Sequence, residues 1–210
     1  MISGINNCVK LTTIANMKIN NLILASGSSY RQVALKKLHL DFAAISPEID
    51  ETQQPRESPQ DLALRLGKAK AWALCQQYPA HLIIGSDQVA MLNGKQLHKP
   101  GNRAKAIEQL QIASGNTVTF FTSICIVNSK TMLCMFDLDI CSVFFKTLTY
   151  QQIEHYVDLE KPYDCAGSFK SEGLGIALFE KIQGEDPNAL IGLPLIKLIS
   201  LLEKFDVHVL

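Results

Sequence analysis

Apolar positions along the chain come in short runs and a few helical stripes, and each predicts an element. Leu22-Ile23-Leu24-Ala25 is too short for a helix and suits a buried strand. The run breaks into Ser26-Gly27-Ser28-Ser29, four small residues that turn tightly and expose backbone N–H groups. Val33, Leu35, Leu38 and Leu40 then fall among the polar Arg31, Gln32, Lys36 and Lys37, which predicts a helix. A strand, a small-residue turn and a helix N-terminus form either an ordinary capped connection or an anion site. The second arises because free amides and the helix dipole both attract negative charge. Arg31 lies in the first turn, where that dipole disfavours a cation. Its position makes sense if the side chain faces a phosphate.

Residues 42–45 predict a short strand, and the polar loop 46–52 after it carries Glu48, Asp50 and Glu51. Clustered acids usually form a solvated surface, yet a loop just after a strand can reach a cleft and bind a divalent ion. Ser58-Pro59 starts a helix as N-cap and first residue, and Leu62, Leu66, Ala69 and Ala73 mark its apolar face to about residue 77. Residues 81–86 predict a second buried strand. It ends at Ser86-Asp87-Gln88, where open α/β sheets place functional groups. Asn93-Gly94 signals a tight turn, and the hairpin of 89–92 with 95–97 returns Lys99 towards Asp87.

Asn102 caps a helix that runs through Ala113 and closes at Gly115. Residues 117–127 and 131–145 predict two long antiparallel strands. Thr149 and Gln152 make a capping box for a short helix. The loop 163–175 is rich in small residues and carries Lys170 and Glu172. Residues 176–179 predict another strand, Gly192-Leu193-Pro194 starts the last helix, and residues 207–210 add a closing strand. Parallel and antiparallel pairing are both implied, so the fold class is mixed α/β.

Composition narrows the function. A chain of 210 residues supports one sizeable core, here a single two-lobed domain over residues 21–210. Residues 1–20 show no periodicity and read as a loosely attached extension, with Met17 as an alternative start. The formal net charge of zero argues against nucleic acid as partner, while a small phosphorylated ligand needs only a local basic patch. The six cysteines form no CxxC pair, and free thiols in a reducing, cytoplasmic compartment follow. No stretch is long and apolar enough for a membrane span.

Several familiar chemistries fail. There is no GxSxG elbow, no Walker A ending and no complete GxGxxG fingerprint. What remains is a set of charges at element ends: Arg31, Glu51, Lys70, Asp87 and Lys99, with the serines of the first loop. Basic side chains bind phosphate oxygens, paired carboxylates hold Mg²⁺ or Mn²⁺, and a free carboxylate activates water. The mixture suits metal-assisted hydrolysis of a phosphoanhydride.

Leu24-Ala25-Ser26-Gly27-Ser28 with Arg31 resembles the opening LASxSPRR motif of the Maf family of nucleoside triphosphate pyrophosphatases. Asp50-Glu51-Thr52, Gly85-Ser86-Asp87-Gln88, Lys99-Pro100, Ser114-Gly115 and Gly192-Leu193-Pro194 follow in the family's order, over about residues 21–205. The triplet Ser86-Asp87-Gln88 and the segment 168–173 are similar to the branch acting on 7-methyl-GTP. The branch acting on dTTP and UTP has a different acid-containing triplet and glutamine at the position of Glu172. The resemblance implies an elongated mixed sheet flanked by helices, an ITPase-like fold with the cleft between two lobes. It implies cleavage between the α and β phosphates with a divalent metal, and homodimers occur in the family. By position, Asp87 is the proton acceptor, and Glu51 with Asp87 forms the metal site. Ser26, Arg31, Lys70 and Lys99 contact phosphate, and Tyr30, Gln88 and Glu172 set specificity. Two departures stand out: Ser29 replaces the motif's proline and Gln32 its second arginine. The alternatives are a dTTP/UTP enzyme and a non-catalytic nucleotide-binding regulator of cell division. Tyr30, Gln88 and Glu172 argue against the first, and the intact charges argue against the second.

Overall fold

One long strand carries both halves of the molecule. The computed structural model describes residues 21–210, so the expected extension 1–20, with Cys8 and Met17, lies outside the described residues. Eight strands form one mixed sheet. β1 (Leu22–Leu24) pairs in parallel with β2 (Ala43–Ala44) on one side and β3 (Leu82–Gly85) on the other. β3 and β4 (Gln88–Leu92) then run end to end along the same partner, β6 (Thr117–Asn128). β3 pairs with its later residues, Gly85 opposite Cys125, and β4 with its earlier ones, Gln88 opposite Thr122. The step between these two strands is Ser86-Asp87. β5 (Lys95–Leu97) closes the Asn93-Gly94 hairpin on β4. The other side of β6 pairs along its full length with β7 (Leu133–Phe145), which takes β8 (Phe179–Gln183) at its far end.

Helices cover both lobes. In the first, Leu22, Leu24 and Ile84 pack on α1 (Ser29–Lys36) and α5 (Leu195–Glu203), through Leu35, Leu198 and Leu202. The opposite face, Ile23 and Ile83, packs on α2 (Pro59–Trp72) and the turn after it, through Ala71 and Leu74. A strand buried on both faces must be apolar throughout, which is why β1 and β3 read as unbroken runs. α2 approaches β3 so closely that a Cβ at Gly85 would overlap the Gly67 carbonyl and sit 2.9 Å from the Ala71 amide nitrogen. In the second lobe, Ala90, Phe120 and Val143 from the sheet pack on α3 (Arg103–Ala113) and α4 (Tyr150–Glu160). Phe120, Phe145, Phe169 and Phe179 meet edge to face there, with centroids 4.8–5.6 Å apart. That geometry favours the aromatic quadrupoles.

Three expectations change. Residues 174–178 form a 3₁₀ helix, and the strand starts only at Phe179. Residues 207–210 add no strand; Val207 is buried against the first-lobe core, with its N–H on the Leu202 carbonyl. α2 ends at Trp72, where the amides of Leu74 and Cys75 switch to bonds three residues back. Among the described residues no helix is long and apolar enough to cross a membrane.

Candidate active site

A cleft of about 1160 Å³ opens between the lobes, and the Ser86-Asp87 step stands in its wall. The Asp87 backbone is fixed from behind. Its N–H donates to Ser123 Oγ (3.1 Å), and its carbonyl accepts the Ser123 N–H (2.9 Å). Ser123 Oγ in turn donates to the Ala63 carbonyl on α2 (2.7 Å). The carboxylate, largely buried, takes a hydrogen bond from Lys70 Nζ at 2.6 Å through Oδ1. Lys70 also reaches Glu51 Oε1 at 2.8 Å. The two expected metal acids therefore converge on one ammonium group. Lys70, expected at a phosphate, lies between these two carboxylates at the cleft wall.

Arg31 is held by the chain's far end. Its Nε donates to the Gly192 carbonyl (2.8 Å) and its Nη1 to Ser26 Oγ (3.3 Å). Ser86 Oγ donates to the same Gly192 carbonyl (2.8 Å). Gly192 has φ +104°, a conformation that favours glycine, and a Cβ there would press on Arg31 Nε at 3.3 Å. Burial disfavours the Arg31 charge while Asp87 and Glu51 favour it; arginine keeps its proton in proteins. Ser28, the N-cap of α1, accepts the Arg31 N–H. The first turn of α1 thus lines the cleft together with Ser26, Arg31 and Lys99. Lys99 is exposed and makes no ion pair among the described residues.

The three expected specificity residues also line this cleft, in different roles. Gln88 Nε2 donates to Thr122 Oγ1 (3.0 Å) and to the carbonyls of Ala189 (2.9 Å) and Leu190 (3.2 Å). Its donors pin the 189–190 turn, which leaves its amide oxygen for a ligand. Tyr30 donates its hydroxyl to Asp164 Oδ1 (3.2 Å) across the cleft mouth. Glu172 is exposed, and among the described residues the Ser171 hydroxyl alone reaches it, at 3.4 Å. Phe120, Phe169 and Leu97 give the same cleft apolar surface. Lys95, Asp164 and Cys165 line it too and carry no sequence signal of their own.

Burial pushes Glu51 up, but the Lys70 hydrogen bond and charge, helped by Lys99 and Arg31, outweigh it and hold Glu51 below the ordinary carboxylate range. A depressed carboxylate favours folding above its unfolded pKa, and that contribution is lost as pH falls through the folded value. Lys70→Met removes the chief lowering influence, so Glu51 should take up its proton at a higher pH. The acid limb of the pH–rate profile and the acid-unfolding midpoint are both expected to move upward. A profile that keeps its acid limb in place contradicts this coupling.

Fold and cleft together define an α/β protein built to hold an anionic ligand between two lobes. Residues 21–205 match the Maf-like protein family, and the chain belongs to that family. It is 51% identical over 185 residues to the 7-methyl-GTP pyrophosphatase of Hahella chejuensis, covering 88% of this chain and 93% of that one. It is 52% identical over 191 residues to the 7-methyl-GTP pyrophosphatase of Aliivibrio fischeri, covering 91% and 99%. Among solved structures, a HAM1 protein from Coxiella burnetii superposes with a TM-score of 0.46 at 15% identity, over 87% of this chain and 98% of that chain.

Proposed function

We propose that this protein hydrolyses 7-methyl-GTP to 7-methyl-GMP and pyrophosphate, removing a modified nucleotide in the cytoplasm. The observation that carries the reading is the Glu51–Lys70–Asp87 cluster beside a tethered Arg31 in one cleft. The named activity of relatives about half identical over nearly their whole length supports the substrate. Five free cysteines among the described residues support a reducing compartment.

A divalent cation fits the acids. Glu51 and Asp87 already converge on one positive atom, and Mg²⁺ is commonly held by one or two carboxylates with substrate phosphates completing its shell. Among the described residues no three His, Cys, Asp or Glu side chains gather into a metal cage, so Glu51 and Asp87 would hold it together with the substrate. Such an ion, when bound, would offset phosphate charge and acidify a water. The chain's own residues do the rest. Arg31 and Lys99 grip phosphate oxygens, and the Ser26 hydroxyl, already on Arg31, sets the guanidinium's angle. Lys70 holds Asp87 through Oδ1, which leaves Oδ2 to accept the proton of the attacking water. Tyr30 offers an aromatic face to the base, and Glu172 accepts from guanine N–H groups. Chromatography of a reaction with Mg²⁺ tests the bond cleaved: 7-methyl-GMP and pyrophosphate are expected. 7-Methyl-GDP with orthophosphate would overturn the assignment.

A further inference from the structure

Charge is unevenly distributed around the cleft. The cations that line it, Arg31, Lys70, Lys95 and Lys99, come from α1, α2 and the β5 segment. The loop after α4 contributes none. Its two lysines, Lys161 and Lys170, do not line the cleft; Lys170 Nζ donates to the Glu160 carbonyl at 2.6 Å. The same loop contributes two carboxylates, Asp164 and Glu172, and neither has an ion-pair partner among the described residues. Glu51 and Asp87, by contrast, share Lys70.

Asp164 and Glu172 lie on the same loop at the cleft. The half-buried Cys165 thiol donates to Asp164 Oδ1 at 3.5 Å and is pushed up to about 12, first by burial, with both carboxylates adding to the shift. Asp164 also accepts the Tyr30 hydroxyl at 3.2 Å, so its carboxylate is held against the aromatic side chain that lines the cleft mouth. An uncompensated carboxylate beside an aromatic face is a site for a delocalised cation. Methylation of guanine at N7 makes the ring such a cation, while GTP presents a neutral base with the same phosphates.

We propose that Asp164 is a specificity-determining residue, whose carboxylate joins Glu172 in favouring a cationic, N7-alkylated purine over its neutral parent. This rests on the 7-methyl-GTP reading above. Two roles of Asp164 have to be separated: its charge, and its hydrogen bond to Tyr30. Asp164→Asn removes the charge and keeps an acceptor for the hydroxyl. Tyr30→Phe removes the hydrogen bond and keeps the ring and the charge.

The test is kcat/KM for 7-methyl-GTP and GTP with wild type and both variants, at low and at raised ionic strength. Asp164→Asn is expected to lower the ratio of 7-methyl-GTP to GTP efficiency about three- to fivefold, as suits an exposed charge brought against a ligand. Tyr30→Phe is expected to change both efficiencies in the same proportion. Added salt should narrow the wild-type ratio more than the Asp164→Asn ratio, because the variant keeps only the Glu172 charge for salt to screen. A wild-type ratio of 7-methyl-GTP to GTP efficiency that Asp164→Asn leaves unchanged overturns this inference and spares the substrate reading. A wild-type ratio near one overturns both.

Discussion

Asp87→Asn is expected to lower kcat by about 10²–10⁴-fold, the usual worth of a positioned general base, while the chain stays folded. The structure separates these two effects. The Asp87 backbone is tied to Ser123 and through it to Ala63, and none of these bonds involves the carboxylate. Asparagine fits the same space and still offers an oxygen to Lys70, which keeps Glu51 as its second partner. What asparagine lacks is the negative charge and a basic oxygen to take a proton. A circular dichroism spectrum like wild type, with turnover lost, is the expected pair of results. Near-normal turnover would make Asp87 a structural acid and its Lys70 pair a packing device.

Arg31→Ala is the second large effect. A hydrogen bond to a charged group contributes roughly 1.5–3 kcal/mol, and each 1.4 kcal/mol is about tenfold in affinity. Binding of a non-hydrolysable triphosphate should therefore weaken about ten- to hundredfold. Binding of the nucleoside alone should change little, because Arg31 is placed by Ser26 and Gly192 at the serine loop. The Gly192 carbonyl keeps the Ser86 hydroxyl after the arginine is gone, so the turn retains a partner. Calorimetric titration with both ligands distinguishes the cases. Equal losses for nucleoside and triphosphate would mean that Arg31 ties the C-terminal turn to α1 and does not bind phosphate.

Much of the scaffold was legible because its signals are local. Asn102 and Thr149 cap their helices through their own side chains, the second with the reciprocal Gln152 bond. Asn93, at φ 50°, and Gly94, at φ 77°, turn the hairpin as their residue types require. Residues 176–179 misled for the reason that short apolar runs do: four such residues fit a strand or a helical turn equally well. The choice is made by tertiary contact. Gly175 lies against the Lys170 backbone, and its N–H joins the Lys170 carbonyl at 3.1 Å, which curls the segment before β8. Residues 207–210 form no strand, and Val207 is instead buried against the first-lobe core.

The candidate site was legible as a list of residues and not as an arrangement. Strand ends and motif order single out Asp87, Arg31 and Glu51. Nothing in the sequence says that Lys70 reaches both acids, because that depends on the close approach of α2 to β3 at Gly85. The bonds from Gln88 to Ala189 and from Tyr30 to Asp164 span 101 and 134 residues. Such contacts follow from the closure of the two lobes, so Asp164 carried no signal before the fold was in view.

The most direct test of the account is the ratio of kcat/KM values for 7-methyl-GTP, GTP, dTTP and UTP, measured with purified protein and Mg²⁺ by pyrophosphate release. A cleft that pairs the Tyr30 ring with Asp164 and Glu172 should favour the cationic base. The account predicts 7-methyl-GTP at least about tenfold above GTP, some 1.4 kcal/mol of transition-state binding, with dTTP and UTP lower still. Preference for dTTP or UTP, or equal use of 7-methyl-GTP and GTP, would contradict it.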